Sequence, residues 1–235
     1  MKKKIKILKE ENIIYNMGFL IVIDGIDGTG KETQSKLLVK RLKEEYGIEK
    51  CHLISFPNYN SPNCEMIKSY LKGNFGKNPN EYAIISMYAL DRWMSYISEW
   101  KKYYDDGYVI IADRYVQSML IYTARRSNNK ELLDFINHIE FDLYKIPQAD
   151  IVFYLDMDKQ LIEGRKNKIT NEDELDIIES DQNFMSGLRN VAITLSKENG
   201  WQLIDCVENG KLKSIENINN IILDRCIMAL EDRWK

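Results

Sequence analysis

Gly25-Ile26-Asp27-Gly28-Thr29-Gly30-Lys31-Glu32-Thr33 is the stretch that decides the fold. It fits G-x-x-x-x-G-K and lies between two readable elements. Before it, residues 18–24 (GFLIVID) form a short apolar run, as expected of a strand buried on both faces. After it, residues 31–46 place Leu37, Leu38 and Leu42 on one helical face and stop at Gly47. Strand, glycine loop and helix in that order make a cradle for phosphate. Glycines let the backbone wrap closely around an anion, successive N–H groups point inward, and the helix N-terminus adds positive potential. Lys31 is then placed to reach the outer phosphates. One position departs from the pattern. Glu32 stands where Ser or Thr usually holds Mg²⁺, and Thr33 comes one place late. A carboxylate beside phosphates is repelled unless it turns away. The metal is therefore expected to be held by phosphates, water and acids such as Asp27 or Asp113. Two alternatives stay open: Glu32 replaces the hydroxyl, or the loop no longer turns over.

Outward from this stretch, apolar runs and helical patterns alternate. Strands are expected at 52–56, 109–113, 150–156 and 201–205. Helices are expected at 62–72, from just after Pro79 to about Tyr104, at 115–125, 130–144, near 158–166, at 174–198 and at 214–232. Five buried strands spaced by helices predict an α/β fold: a five-stranded parallel sheet with helices on both faces. Residues 165–174 (RKNKITNEDE) are polar and poor in apolar anchors. Arg165, Lys166 and Lys168 there suit a short basic lid at about 163–174 that closes over phosphates, or a plain solvated connection. No repeat or Gly/Ser/Pro-rich linker divides the chain, so residues 18–235 are expected to be one domain. Residues 1–17 read as an N-terminal extension, basic but without an apolar signal core. Met17 is expected to be the original start, with residues 1–16 a loose appendage.

Composition narrows the function classes. Of 235 residues, 44% are apolar and 29% charged, which excludes a disordered chain. Lys+Arg number 33 against 36 Asp+Glu, giving a net charge of -3. That disfavours a general nucleic-acid or membrane surface while allowing a local basic pocket. No apolar run approaches the ~20 residues of a membrane span. Cys51, Cys64, Cys206 and Cys226 are far apart and form no C-x-x-C pair, so they read as reduced core thiols in a reducing compartment, the cytoplasm.

Ligands of parallel sheets bind beyond the carboxyl ends of the strands. Asp113-Arg114-Tyr115 falls at such an end. The aspartate can orient hydrated Mg²⁺ and the arginine can fork onto a phosphate, although D-R-Y alone is equally a strand-end salt bridge. Tyr88 and Arg92 are four apart and share a helical face, able to stack on a base and hydrogen-bond it, or to be an ordinary aromatic–cation pair. Phe56-Pro57-Asn58-Tyr59 follows the second strand.

In combination these motifs resemble the thymidylate kinase family of nucleoside monophosphate kinases. The resemblance runs over about residues 18–232 and rests on GIDGTGKETQ (25–34), FPNYNSP (56–62), YALDRW (88–93), DRYVQS (113–118) and FYLD (153–156). GKETQ and FPNYNSP look most like a clostridial-type bacterial branch. The resemblance implies a three-layer P-loop NTPase fold and Mg²⁺-dependent transfer of the γ-phosphoryl of ATP to dTMP. Gly25 through Thr33 would hold the ATP phosphates, with Lys31 bridging donor and acceptor. Asp27 would touch the acceptor sugar or the metal shell, and Asp113 would help place Mg²⁺. Phe56, Tyr59, Tyr88, Arg92 and Ser118 would form the acceptor site, Arg114 would hold the monophosphate, and Tyr122 would screen against a ribose 2′-hydroxyl. Arg165 would act from the lid. A homodimer is implied, with helices around 62–72 and 81–104 as candidate contacts.

Two positions depart from the family pattern. Asn58 replaces an arginine used on the acceptor phosphate, and Met119 stands where an asparagine often reads the base. Two alternatives follow: a kinase for another pyrimidine monophosphate such as dUMP, motivated by Met119, and a non-catalytic nucleotide-binding protein, motivated by Glu32.

Overall fold

The computed structural model describes residues 17–76, 78–157 and 182–233. The expected appendage at 1–16, the helix near 158–166, the lid at 163–174 with Arg165, and the start of the helix at 174–198 lie outside the described residues.

The chain runs β1 (Phe19–Asp24), α1 (Lys31–Tyr46), β2 (Cys51–Ser55), α2 (Glu65–Leu71), α3 (Glu81–Ser95), α4 (Lys101–Asp105), β3 (Val109–Asp113), α5 (Val116–Arg126), α6 (Lys130–Asn137), β4 (Ile151–Asp156), α7 (Gln182–Glu198), β5 (Gln202–Asp205), a short ladder of β6 (Val207–Glu208) with β7 (Lys211–Leu212), and α8 (Ile215–Arg233). β1 to β5 form one sheet in the order β2-β3-β1-β4-β5, and every pairing is parallel. β1 and β3 are buried at every position. Helices cover both faces of a parallel sheet, so an unbroken apolar run is the pattern that survives. α1 and α8 pack on each other against the sheet, and α5 packs on α7. The expected α/β architecture is the one observed. All four cysteines are buried and none is in a disulfide, and burial pushes the Cys51 thiol up to about 12 and the Cys64 thiol up to about 11.

The order places β1 at the centre, so the glycine loop after it emerges at the middle of the carboxyl edge, where ligands of such sheets bind. β1, β3, β4 and β5 each end in an aspartate: Asp24, Asp113, Asp156 and Asp205. Parallel pairing sets Ile23 beside Asp113 and Asp156 beside Asp205, which gathers these acids on one edge.

The structure differs from the sequence expectation at three places. The long helix after Pro79 contains a wider π-helical turn at Tyr96–Trp100, and the helix expected at 130–144 passes into another at His138–Leu143. Such turns take in an extra residue without ending the helix, so apolar periodicity alone does not reveal them. The β6–β7 ladder turns at Asn209-Gly210, both at positive φ, as a two-residue hairpin of this handedness requires. An Asn-Gly pair is a readable hairpin signal, but the strands are only two residues long.

Candidate active site

The loop between β1 and α1 is built by close backbone approach. A Cβ on Gly25 would stand 2.7 Å from Thr29 Oγ1 and 3.1 Å from the carbonyl of Leu155, so no side chain fits there. Gly30 enters α1 at φ 92°, in the left-handed region that glycine tolerates. Thr29 closes the loop internally, its hydroxyl donating to the Ile26 carbonyl at 2.8 Å. Lys31 is the first residue of α1 and is buried. Its Nζ donates to the Ile26 carbonyl at 3.1 Å and lies 3.6 Å from Asp27. Burial pulls the Lys31 pKa down and neighbouring Arg114 adds to this, while Asp27, Asp24 and Asp113 oppose it.

Glu32 turns away from the loop. Its carboxylate meets Lys36 at 2.5 Å on the solvent side, and Thr33 beside it is exposed as well. The repulsion that Glu32 would exert on bound phosphate is thereby removed, and with it the motive for a non-catalytic protein. Glu32→Ser should change stability by less than about 0.5 kcal/mol, as for a surface pair. It should also leave turnover close to that of the parent. A kinetic titration with ATP checks this, and a large loss of kcat would give Glu32 a role in the cradle.

Arg114 organises the acidic edge. Its backbone has φ 65°, a left-handed conformation that costs a non-glycine residue roughly 1–2 kcal/mol. Its N–H donates to the Ile23 carbonyl at 3.0 Å, which carries the β1–β3 ladder one step further. The guanidinium pairs with Asp27 through Nη2, donates to the Ser118 hydroxyl through Nη1 at 3.1 Å, and lies 3.8 Å from Asp24. Asp24 in turn accepts from the Gly25 N–H at 2.7 Å and from the Ser118 hydroxyl at 2.8 Å. Burial raises the Asp24 pKa, against the pull of Arg114 and Lys31. Burial raises that of Asp113 too, with Lys31 and Arg114 opposing. Two cations and three carboxylates thus converge where the glycine loop meets the D-R-Y turn. Asp113 Oδ1 is buried without a hydrogen-bond partner among the described residues. An acceptor-only oxygen in that state suits a metal-bound water. Asp27 is occupied by Arg114 and, through Oδ2 at 3.4 Å, by the Tyr122 hydroxyl.

The remaining sequence candidates fall into two groups. Phe56 is buried and packs on Tyr115 with ring centroids 5.8 Å apart, and its N–H donates to the Asp113 carbonyl at 3.0 Å. Phe56, Ser118 and Tyr122 are therefore joined to the same edge. Tyr88 meets Tyr70 edge-on at 6.5 Å. Tyr59 is half exposed on the turn after β2, and Asn58 reaches Glu99 rather than the loop. Arg92 is buried in an ion pair with Glu140, its Nε donating at 2.8 Å and its Nη2 closing the pair. The sequence reading gave Arg92 a base contact and missed Glu140, which has no motif around it. It also missed Asp24, although the recurring acid at strand ends was visible.

Loop, buried lysine, D-R-Y arginine and strand-end acids define a P-loop nucleotide phosphotransferase. The family model for thymidylate kinase matches residues 23–228. A probable thymidylate kinase of Pyrobaculum aerophilum is 25% identical over 185 residues, covering 79% of this chain and 86% of that protein. The thymidylate kinase of Buchnera aphidicola is 31% identical, covering 77% and 82%. The solved thymidylate kinase of Candida albicans shares the fold with a TM-score of 0.67 at 22% identity, covering 92% of this chain and 93% of that one. The chain belongs to the thymidylate kinase family, and its activity is phosphorylation of dTMP with ATP as donor. None of these relatives is clostridial, so the narrower branch suggested by GKETQ and FPNYNSP is unsupported. Among the described residues no helix is long and apolar enough to cross a membrane.

Proposed function

We propose that the ATP phosphates rest on residues 25–33 and that Lys31 and Arg114 hold donor and acceptor phosphates together. The observation that carries this reading is the convergence of Lys31, Asp27 and Arg114 at the centre of the carboxyl edge. The acceptor phosphate is already ionised, so positioning and charge neutralisation suffice without a strong base. Arg114 exchanges its internal partner Asp27 for the incoming phosphate, and Asp27 is released toward the acceptor sugar. Asp113, with Asp27 close by, would hold Mg²⁺ through water, and the ion would supply charge neutralisation at the phosphates. Phe56, Tyr59, Tyr88, Arg92, Ser118 and Tyr122 surround the acceptor, and Arg165 adds a cation from the segment after β4.

Met119 favours a broader acceptor range as a second reading. Its side chain is buried and its sulfur lies 3.5 Å from the Thr123 hydroxyl. A thioether offers a base edge no strong hydrogen bond, and rejection of a wrong base is strongest when site polar groups would be left unpaired. ADP release with Mg²⁺-ATP against dTMP, dUMP, dCMP and UMP tests both. Release strongest with dTMP and weaker but measurable with dUMP is expected. Equal release with dCMP would overturn the assignment of the base-reading residues.

Assembly follows from the outer helices. Leu90, Trp93 and Ile97 lie three and four residues apart along one stripe and are exposed, as is Met66 on α2. These apolar side chains support a homodimer through α2 and α3. The buried cysteines, none of them in a disulfide, support a reducing, cytoplasmic setting.

A further inference from the structure

Phe184, in the first turn of α7, links two of the aromatic residues assigned to the acceptor, Tyr122 and Tyr88. Its ring lies 5.9 Å from that of Tyr122 and is tilted by 43°. Two guanidinium groups stand over it, Arg125 at 5.6 Å and Arg126 at 5.8 Å. Tyr122, Arg125 and Arg126 are three and four residues apart, so α5 presents all of them on one face. Arg125 also fixes the backbone below the ring, donating to the carbonyls of Phe184 at 2.9 Å and Asn183 at 2.6 Å. It crosses α7 at Gly187, where a Cβ would come within 2.2 Å of its Nε. A side chain there would push the arginine off both carbonyls.

Two neighbours of the ring lead to different parts of the site. Tyr122 passes to Asp27 and so to Arg114. Arg126 donates to the Tyr70 hydroxyl at 3.2 Å, and Tyr70 meets Tyr88 edge-on. We infer that Phe184 is a positioning residue that sets the Tyr122 and Tyr88 rings, and through them both acceptor affinity and the preference for a deoxy sugar. The inference rests on the reading of Tyr122 and Tyr88 as acceptor residues. A simple staple between α5 and α7 would need the Arg125 bonds alone. The convergence of Tyr122, Arg125 and Arg126 on one ring, and the onward bond to Tyr70, give Phe184 a second task.

The test compares Phe184→Ala, Phe184→Tyr and Arg126→Gln in the full chain. The readouts are kcat, KM for dTMP, KM for ATP, thermal midpoint, and the kcat/KM ratio of dTMP to ribothymidine 5′-phosphate. Phe184→Ala is expected to raise KM for dTMP and lower the deoxy-to-ribo ratio by roughly two- to thirtyfold, the range seen for residues acting through others. KM for ATP should stay unchanged, and Phe184→Tyr, which keeps the ring, should restore both values. Arg126→Gln, at an exposed position, should raise KM for dTMP without lowering the thermal midpoint, and it carries the test if Phe184→Ala does not fold. Tyr122→Phe and Tyr88→Ala run beside these. If they move KM for dTMP or the ratio and the Phe184 and Arg126 variants do not, Phe184 is only a staple and the inference is overturned. If no variant at any of these four positions moves either value, the acceptor reading itself falls.

Discussion

Lys31→Ala is expected to lower kcat for dTMP phosphorylation by about 10²–10³-fold, the usual cost of removing one preorganised charge from a transition state. At roughly 1.4 kcal/mol per factor of ten, that is about 3–4 kcal/mol of barrier. The fold should hardly notice. Lys31 sits at the first position of α1, where alanine is a good helix former, and its ammonium group is buried at a cost that already lowers its pKa. Its partners do not depend on it. Asp27 keeps Arg114, and the Ile26 carbonyl keeps the Thr29 hydroxyl. The fold therefore does not depend on this charge, as the role proposed for it at the phosphates requires. Steady-state kinetics and a melting curve on the same preparation decide the matter. Unchanged turnover, or a variant that fails to fold, would remove Lys31 from the catalytic assignment.

The legible and illegible parts of this site differ in how far along the chain their causes lie. β1, the glycine loop and α1 are consecutive, so their chemistry is written in one short stretch. The Lys31–Asp27 contact needs only the i,i+4 spacing of that stretch. Arg114 was legible as well, because D-R-Y follows a buried strand. What the sequence did not announce was its partner. The Arg114–Asp27 pair spans 87 positions and depends on β3 lying beside β1. Arg92 shows the same limit more sharply. Its spacing from Tyr88 pointed to a shared face, yet Glu140, 48 positions away on a π-helical turn, takes the guanidinium. Phe184 was invisible for a related reason. A lone aromatic in a helix reads as core, and only the packing of α7 on α5 brings it over Tyr122.

Glu140→Ala should be the most destabilising single change in the acceptor half, by about 3–5 kcal/mol, because it leaves a buried guanidinium without its counter-charge. For a chain of this size that is a fall of roughly 6–20 °C in thermal midpoint. Both partners are almost completely buried, Arg92 at 3% and Glu140 at 0% exposure. Burial raises the Glu140 pKa, and Arg92 pulls it down. Its second oxygen, Oε2, is buried with no hydrogen-bond partner among the described residues. A pair so placed is costly to break and of little net benefit to keep. Replacing both partners by apolar residues, Arg92→Met with Glu140→Leu, should accordingly recover most of the lost stability. The double variant then separates structure from recognition. If Arg92 reads the base, it should melt near the parent temperature and still show a raised KM for dTMP. A double variant with both the parent's melting point and its KM would make the pair a buried strut between the α3 and α6 regions, and Arg92 would leave the acceptor site. Loss of less than about 1 kcal/mol on Glu140→Ala would contradict the burial argument itself, since an unpaired buried charge costs several times that amount.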